Sequence, residues 1–134
     1  MENENKKTEY VTYDEFKKMD IRIGTIREVE AVEGADKLLR CMVDFGMKIP
    51  TDGTIEPEQD LRQIVSGIRE YYPEFKELVG KQVLYIVNLE PRTIRGVESH
   101  SMLMAVDSAS DAEGKTRPIF LTPESDVPPG SKVR

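Results

Sequence analysis

Between Leu38 and Phe45 the chain alternates without a slip. Leu39, Cys41, Val43 and Phe45 fall on one side, and Leu38, Arg40, Met42 and Asp44 on the other. Successive side chains of an extended backbone point to opposite faces, so this period of two predicts a half-buried β-strand. Cys41 then sits among the inward residues as a small hydrophobe. A reactive thiol is the weaker reading, because the chain holds one cysteine and no histidine lies near it in sequence.

Other runs follow the same logic. Ile21 and Ile23 alternate with Arg22, then Gly24 breaks the phase and puts Ile26 on the opposite face. A glycine at a phase break predicts a bulge or sharp bend there, the device that curls a long strand. The run continues through Val29 and Val32, and Glu33–Asp36 reads as a turn. Residues 64–68 form a third strand. Residues 83–89, almost continuously apolar and β-branched, form a central buried one. Residues 102–106 and 119–121 supply the last strands. Thr12 and Glu15 fit a capping box, and Tyr13, Phe16 and Met19 follow at helical spacing, predicting a short helix over 13–19 that caps one end of the fold. A second short helix is expected over 72–80. Pro73 suits its first position, Glu74 its positive end and Gly80 its exit, while Phe75, Leu78 and Val79 give an apolar face. Residues 47–60 read as a surface loop with a small hairpin at Asp52-Gly53. Residues 108–116 read as a flexible polar loop, and 127–130 as a turn leading the C-terminus back onto the body.

The order is strand, strand, strand, short helix, strand, strand, with a bend in the first strand. That is the order of an all-β OB-fold: a five-stranded Greek-key barrel with short helices, whose open face commonly takes oligonucleotides or other ligands. A length of 134 residues suits one domain. We assign it to 12–134, with 1–11 as a polar tail expected to be disordered. No apolar run approaches the roughly 20 residues of a membrane span. The polar N-terminus carries no visible secretory signal, and a lone cysteine fits a reducing, cytoplasmic setting. A net charge of −6 and a pI near 4.9 exclude nucleic-acid binding by bulk attraction. Any such contact must come from a local basic patch.

Catalytic apparatus is missing. His100 stands between Ser99 and Ser101 without a third partner. Gly-rich phosphate loops, activated-serine elbows and a His/Cys metal set do not occur. The chain is therefore expected to be no enzyme, with no metal and no cofactor. What remains suits binding. Arg92 and Arg95 are three apart in a Pro/Gly turn, so both can project from one loop. Their planar forks suit phosphates and stack on bases, or they pair with Glu90 and Glu98. Spacing alone leaves both readings open. Asn88, taken by itself, satisfies a turn amide rather than reading a base edge. Met102, at a strand start, reads as core.

An ordered series of segments carries a resemblance: Phe16–Ile26, Ala35-Asp36-Lys37-Leu38-Leu39, Val43–Gly46, Arg62-Gln63-Ile64-Val65-Ser66-Gly67-Ile68, Leu78–Lys81, Asn88-Leu89-Glu90-Pro91-Arg92, Arg95–Ser99 and Leu121–Glu124. From about residue 12 onward the chain resembles the stand-alone tRNA-binding domains that also occur fused to the C-terminus of methionyl-tRNA synthetases. Related domains occur in eukaryotic synthetase cofactors and in a secretion-chaperone-like bacterial branch. The resemblance implies an OB-fold that binds the outer shape of tRNA without reading bases. It implies a homodimer whose second copy completes the tRNA surface, and methionyl-tRNA synthetase as a further partner. The family's binding positions map onto Lys37, Ser66, Asn88, Arg92, Arg95, Ser99 and Met102, expected on one side of the barrel. The alternative is a chaperone-like dimer that binds peptides or unfolded segments, favoured by the acidic pI and lost cations. The departures are specific. Glu90 stands where a lysine is usual, and Thr93 where a basic residue is common. Glu33-Gly34 replaces His-Pro, Ser99-His100-Ser101-Met102 replaces Ser-Gln-Gly-Met, and the loop 47–61 is longer.

Overall fold

The computed structural model describes residues 7–48 and 56–134. In chain order the strands are β1 (Ile21–Ala31), β2 (Leu39–Lys48), β3 (Glu58–Ser66), β4 (Gln82–Ile86), β5 (Arg92–Ile94), β6 (Val97–Ser99), β7 (Met102–Leu103), β8 (Ala105–Asp107) and β9 (Pro118–Phe120). Five of them form one curled antiparallel sheet in the order β3-β2-β1-β4-β7, as expected of an OB-like fold. Strand β1 is its pivot. Residues Ile21–Thr25 pair with β4, and Thr25–Ala31 pair with β2. Because the strand changes partner midway, Ile23 through Ile26 are all buried.

The expected bulge at Gly24 is not there. Gly24 pairs in regular register with Val83, and the register shifts between Ile26 and Glu28. Arg27 is thus the extra residue. Its guanidinium reaches the Asp44 carboxylate at 2.8 and 3.1 Å. The reason for glycine at 24 is space: a Cβ would lie 2.4 Å from Val43 Cγ1 and 2.8 Å from the Phe45 ring.

The alternation of β2 holds as expected, and Leu39, Cys41, Val43 and Phe45 are all buried. They pack with Ile26, Val29, Ile64, Val83 and Tyr85, and Phe45 meets Tyr85 edge to face at 5.4 Å. Burial pushes the Cys41 thiol up to about 11, against a smaller opposing effect of Arg40.

Beside β3 the barrel closes through two side-chain bonds and one backbone bond rather than a strand ladder. Gln63 Nε2 donates to Glu98 O (2.7 Å), the Val65 amide to Ser99 Oγ (2.9 Å), and the His100 amide to Gln63 O (2.8 Å). A second apolar cluster, Val32, Ala35 and Val65 with Leu38, Ile94 and Val97, seats the β5–β6 hairpin against the barrel.

Several local expectations are corrected. The first helix, α1, covers only Tyr13–Lys17. Its Thr12/Glu15 capping box forms as expected, with both bonds at 3.1 Å. It buries none of its residues, and Tyr13, Phe16 and Met19 are exposed, so it does not cap the barrel with an apolar face. The helix expected over 72–80 is replaced by one 3-10 turn, Phe75–Leu78, and another, Arg69–Tyr71, precedes it. A segment this short has little intrinsic helical stability. Its geometry is set by ties to β1 instead: Lys76 Nζ donates to Val29 O, and the Gly80 amide to Ile26 O, each at 2.7 Å. Leu78 is buried as expected, whereas Val79 is exposed.

The strand expected over 102–106 breaks at Met104. Its first part joins the main sheet, and β8 pairs with β9. The loop 108–116 is hydrogen-bonded: Asp111 Oδ1 accepts the Glu113 and Lys115 amides, and Ser108 Oγ accepts the Arg117 amide. The C-terminal turn does return the chain to the body, with the Gly130 and Val133 amides donating to Ile23 O and Ile21 O. Part of the expected loop 47–60 is strand, since Lys48 pairs with Glu58. The hairpin expected at Asp52-Gly53, and residues 1–6 of the tail, lie outside the described residues. Among the described residues no helix is long and apolar enough to cross a membrane.

Candidate nucleic-acid interface

The Pro/Gly turn of the sequence is a β-hairpin. Arg92 pairs with Ser99, Thr93 with Glu98 and Ile94 with Val97, and the two-residue loop is Arg95-Gly96. Both loop residues have positive φ, 51° and 80°. This is the type I′ geometry that matches strand twist, and Gly96 suits its second position. Ile94 and Val97 anchor the hairpin to Val65 and Leu38. Arg92 therefore projects from the hairpin base and Arg95 from its tip, both exposed or nearly so.

Among the described residues no ion pair or hydrogen bond engages either guanidinium. Glu98 is engaged by the His100 ring instead. Of the two readings open from spacing, pairing with Glu90 and Glu98 is not the arrangement present.

A groove of about 450 Å³ runs along the inner side of the hairpin. Its walls include Leu38, Val65, Ile68, Leu89, Ile94 and Met102, and its polar groups include Ser66, Glu90 and Arg92. Four expected site residues meet here: Ser66, Arg92, Ser99 and Met102. Met102 is 47% exposed, so the core reading of this residue is corrected. Its neighbour Leu103 packs against the core, and alternation along β7 turns Met102 outward. Lys37 stands beside the groove: it is exposed, precedes the wall residue Leu38, and its carbonyl accepts the Arg69 amide.

Two expected residues serve the backbone. Asn88 Oδ1 accepts the Asp20 amide (2.9 Å) and Nδ2 donates to Lys18 O (2.6 Å), tethering the exit of α1 to the end of β4. That is the turn-amide reading. Ser99 is 3% exposed and its hydroxyl accepts the Val65 amide, so it joins the hairpin to β3.

Two polar clusters, on opposite faces of β3, escaped the sequence reading. Arg40 bonds Glu30 (2.5 Å) and Gln63 (3.1 Å). Arg62 bonds Asp60, Val87 O and Ser101 Oγ, with its guanidinium 5.5 Å from the centre of the Phe45 ring. The available signal was period two: Arg62 precedes the buried Ile64 by two positions and so points inward. A charge on an inward position requires partners. Ser101, where the resemblance has glycine, carries φ 113°, in the region that favours glycine.

A family model described as "Putative tRNA binding domain" matches residues 21–132. A methionine–tRNA ligase of Methanothrix thermoacetophila is 44% identical over 125 residues, covering 92% of this chain and 16% of that protein. The ligase of Porphyromonas gingivalis is 45% identical over 127 residues, covering 94% of this chain and again 16% of the ligase. The chain thus spans a small part of the curated relatives it matches. Among solved structures, a MetRS-related protein from Pyrococcus horikoshii aligns with TM-score 0.70 and 31% identity, covering 95% of this chain and all of that one. A CsaA chaperone protein from Picrophilus torridus aligns with TM-score 0.67 and 26% identity, covering 93% and 100%.

Proposed function

This chain belongs to the tRNA-binding domain family, and on that premise we propose that it binds the folded outer shape of tRNA without catalysis. The observation that carries the reading is the pair of guanidinium groups, Arg92 and Arg95, held on a packed hairpin beside an open groove with no acid partner among the described residues. Phosphate oxygens are the ligand such forks fit best. Lys37, exposed next to the wall residue Leu38, adds charge beside the groove, and Met102 offers a polarizable surface on which a base or ribose can rest. A net charge of −6 confines the attraction to this face.

The binding is structure-specific rather than base-specific, since cations on backbone phosphates carry no sequence information. The protein works in the cytoplasm as a homodimer, the second copy extending the cationic surface along the RNA. Methionyl-tRNA synthetase is its further partner, in keeping with the ligase relatives.

A salt-titrated binding measurement with tRNA tests the proposal. The expected result is a Kd of about micromolar or tighter at low salt that weakens as salt rises. No detectable binding at low salt overturns it. Sizing by light scattering tests the dimer, and capture of methionyl-tRNA synthetase tests that partnership.

One feature favours a second reading. The groove walls are mainly apolar, with Leu89 and Met102 exposed, and such a surface also suits peptide or unfolded-chain binding by a chaperone-like dimer. Suppression of aggregation of a model substrate, together with absent tRNA binding, is the outcome that selects it.

A further inference from the structure

We propose that Arg62 is a positioning residue: it clasps Ser101 in a left-handed backbone conformation and thereby keeps Met102 on the RNA-facing groove. What the groove takes rests on the tRNA reading; the clasp itself is a property of the chain.

Ser101 has φ 113°, a conformation that side-chain-bearing residues rarely adopt. Left alone, a serine there relaxes toward negative φ. Something must hold it, and the candidates are few. The residue is largely buried, and among the described residues the one hydrogen bond to its hydroxyl comes from Arg62 Nη1 at 3.0 Å. The same Nη1 donates to Val87 O at 2.7 Å, just beyond the end of β4. Arg62 is itself fixed. Its Nε and Nη2 meet the two oxygens of Asp60 at 2.9 and 3.2 Å, a bidentate fork that sets the guanidinium plane. The chain of support runs from Asp60 through Arg62 to Ser101, linking β3 to the connection between β6 and β7.

That connection decides which side chain faces which concavity. Strand β7 is only two residues long, with Met102 opposite Ile86 and Leu103 opposite Tyr85. Both residues touch the groove, but Leu103 also packs on the core whereas Met102 is half-exposed along the groove wall, and His100 lies in a separate concavity beside Glu98. Side chains on a strand alternate, so a rotation of the backbone at Ser101 exchanges inside for outside in the residues that follow. A two-residue strand has little register energy of its own to resist this. Arg62 reaches the site only through Ser101 and Val87, so its effect on binding is indirect.

Two substitutions at one position separate this from general stabilisation. Ser101→Ala removes the hydroxyl acceptor but keeps the Cβ that disfavours positive φ. Ser101→Gly removes both. The first readout needs no RNA: the 13C-methyl signal of Met102 in methionine-labelled protein, assigned with Met102→Leu. The second is the tRNA Kd across a salt titration. In Ser101→Ala the Met102 signal is expected to shift or broaden, and tRNA binding to weaken about tenfold, the scale of one hydrogen bond to a charged group, with the salt slope unchanged. In Ser101→Gly, the larger truncation, both readouts stay near wild type. Arg62→Lys should reproduce the alanine result, because an ammonium cannot span Asp60, Val87 O and Ser101 together, and Arg62→Lys/Ser101→Gly should recover it. A Met102 signal unmoved in Ser101→Ala overturns the clasp, as does a glycine variant perturbed as much as the alanine one. If the methyl signals behave as expected while no variant binds tRNA, the clasp stands and the tRNA reading of the groove falls.

Discussion

Replacing Gly24 by alanine places a methyl group where the barrel has no room for one. The added Cβ would sit 2.4 Å from Val43 Cγ1 and 2.8 and 2.9 Å from two carbons of the Phe45 ring. Neither neighbour can yield cheaply. Val43 is wholly buried, and Phe45 is 3% exposed and held edge-on against Tyr85. Overpacking of a core by one methyl costs about 1–3 kcal/mol, and rigid neighbours on two sides put this site toward the upper end. Alanine restricts the unfolded chain more than glycine does, which offsets about 0.4–1 kcal/mol. The net expectation is a loss of about 2 kcal/mol, or roughly 5–8 °C in Tm for a domain of this size. Urea denaturation with a common m-value measures it. Val43→Ala in the same chain opens space, so the double variant should lose at least about 1 kcal/mol less than the sum of the singles. The sign is the refutation. If close approach is irrelevant and Gly24 only loosens the backbone, Gly24→Ala stabilises the protein, and a raised urea midpoint would reject the packing account.

Three further outcomes are expected. Arg92→Ala with Arg95→Ala should weaken tRNA binding and lower the salt slope by about 0.9 per lost phosphate contact on duplex-like RNA, with Tm nearly unchanged; unfolding of the double variant would make the arginines structural. Burial alone would raise the Asp44 carboxyl, but hydrogen bonds from Arg27, the Gly46 amide and Gln59, with the Arg27 charge, hold it below the usual range. Its stabilising effect is therefore complete above the unfolded value of about 3.9 and is lost as pH falls through the lower folded value. Asp44→Asn should flatten that part of the stability–pH curve, and an unchanged curve would count against the Arg27–Asp44 pair. Cys41, with its thiol raised to about 11 by burial, should alkylate at pH 8 only as fast as the chain opens, and rapid stoichiometric labelling of native protein would contradict its place in the core.

Much of this molecule was legible from local pattern. The period of two in β2 identified its buried face, because strand alternation is a property of consecutive residues. The Thr12/Glu15 box forms as read, since all its atoms lie within one turn. The order of short runs implied the barrel, and the ordered segments implied the tRNA-binding family. Ser66, Arg92, Ser99 and Met102 do meet on one side.

Tertiary structure alone decided the rest. Gly24 looked like a bend because its neighbours changed phase, yet the phase changes because β1 exchanges β4 for β2 along its length. The bulge falls at Arg27, where an acid from the next strand receives it. Residues 72–80 carry helix signals, but anchors to β1 hold them as a single 3-10 turn. Asn88 and Ser99 serve backbone amides distant in sequence, and Met102 faces outward because Leu103 takes the core position. Periodicity and capping are fixed within a few residues of chain, whereas barrel closure, the groove and the partners of buried polar groups arise between segments tens of residues apart.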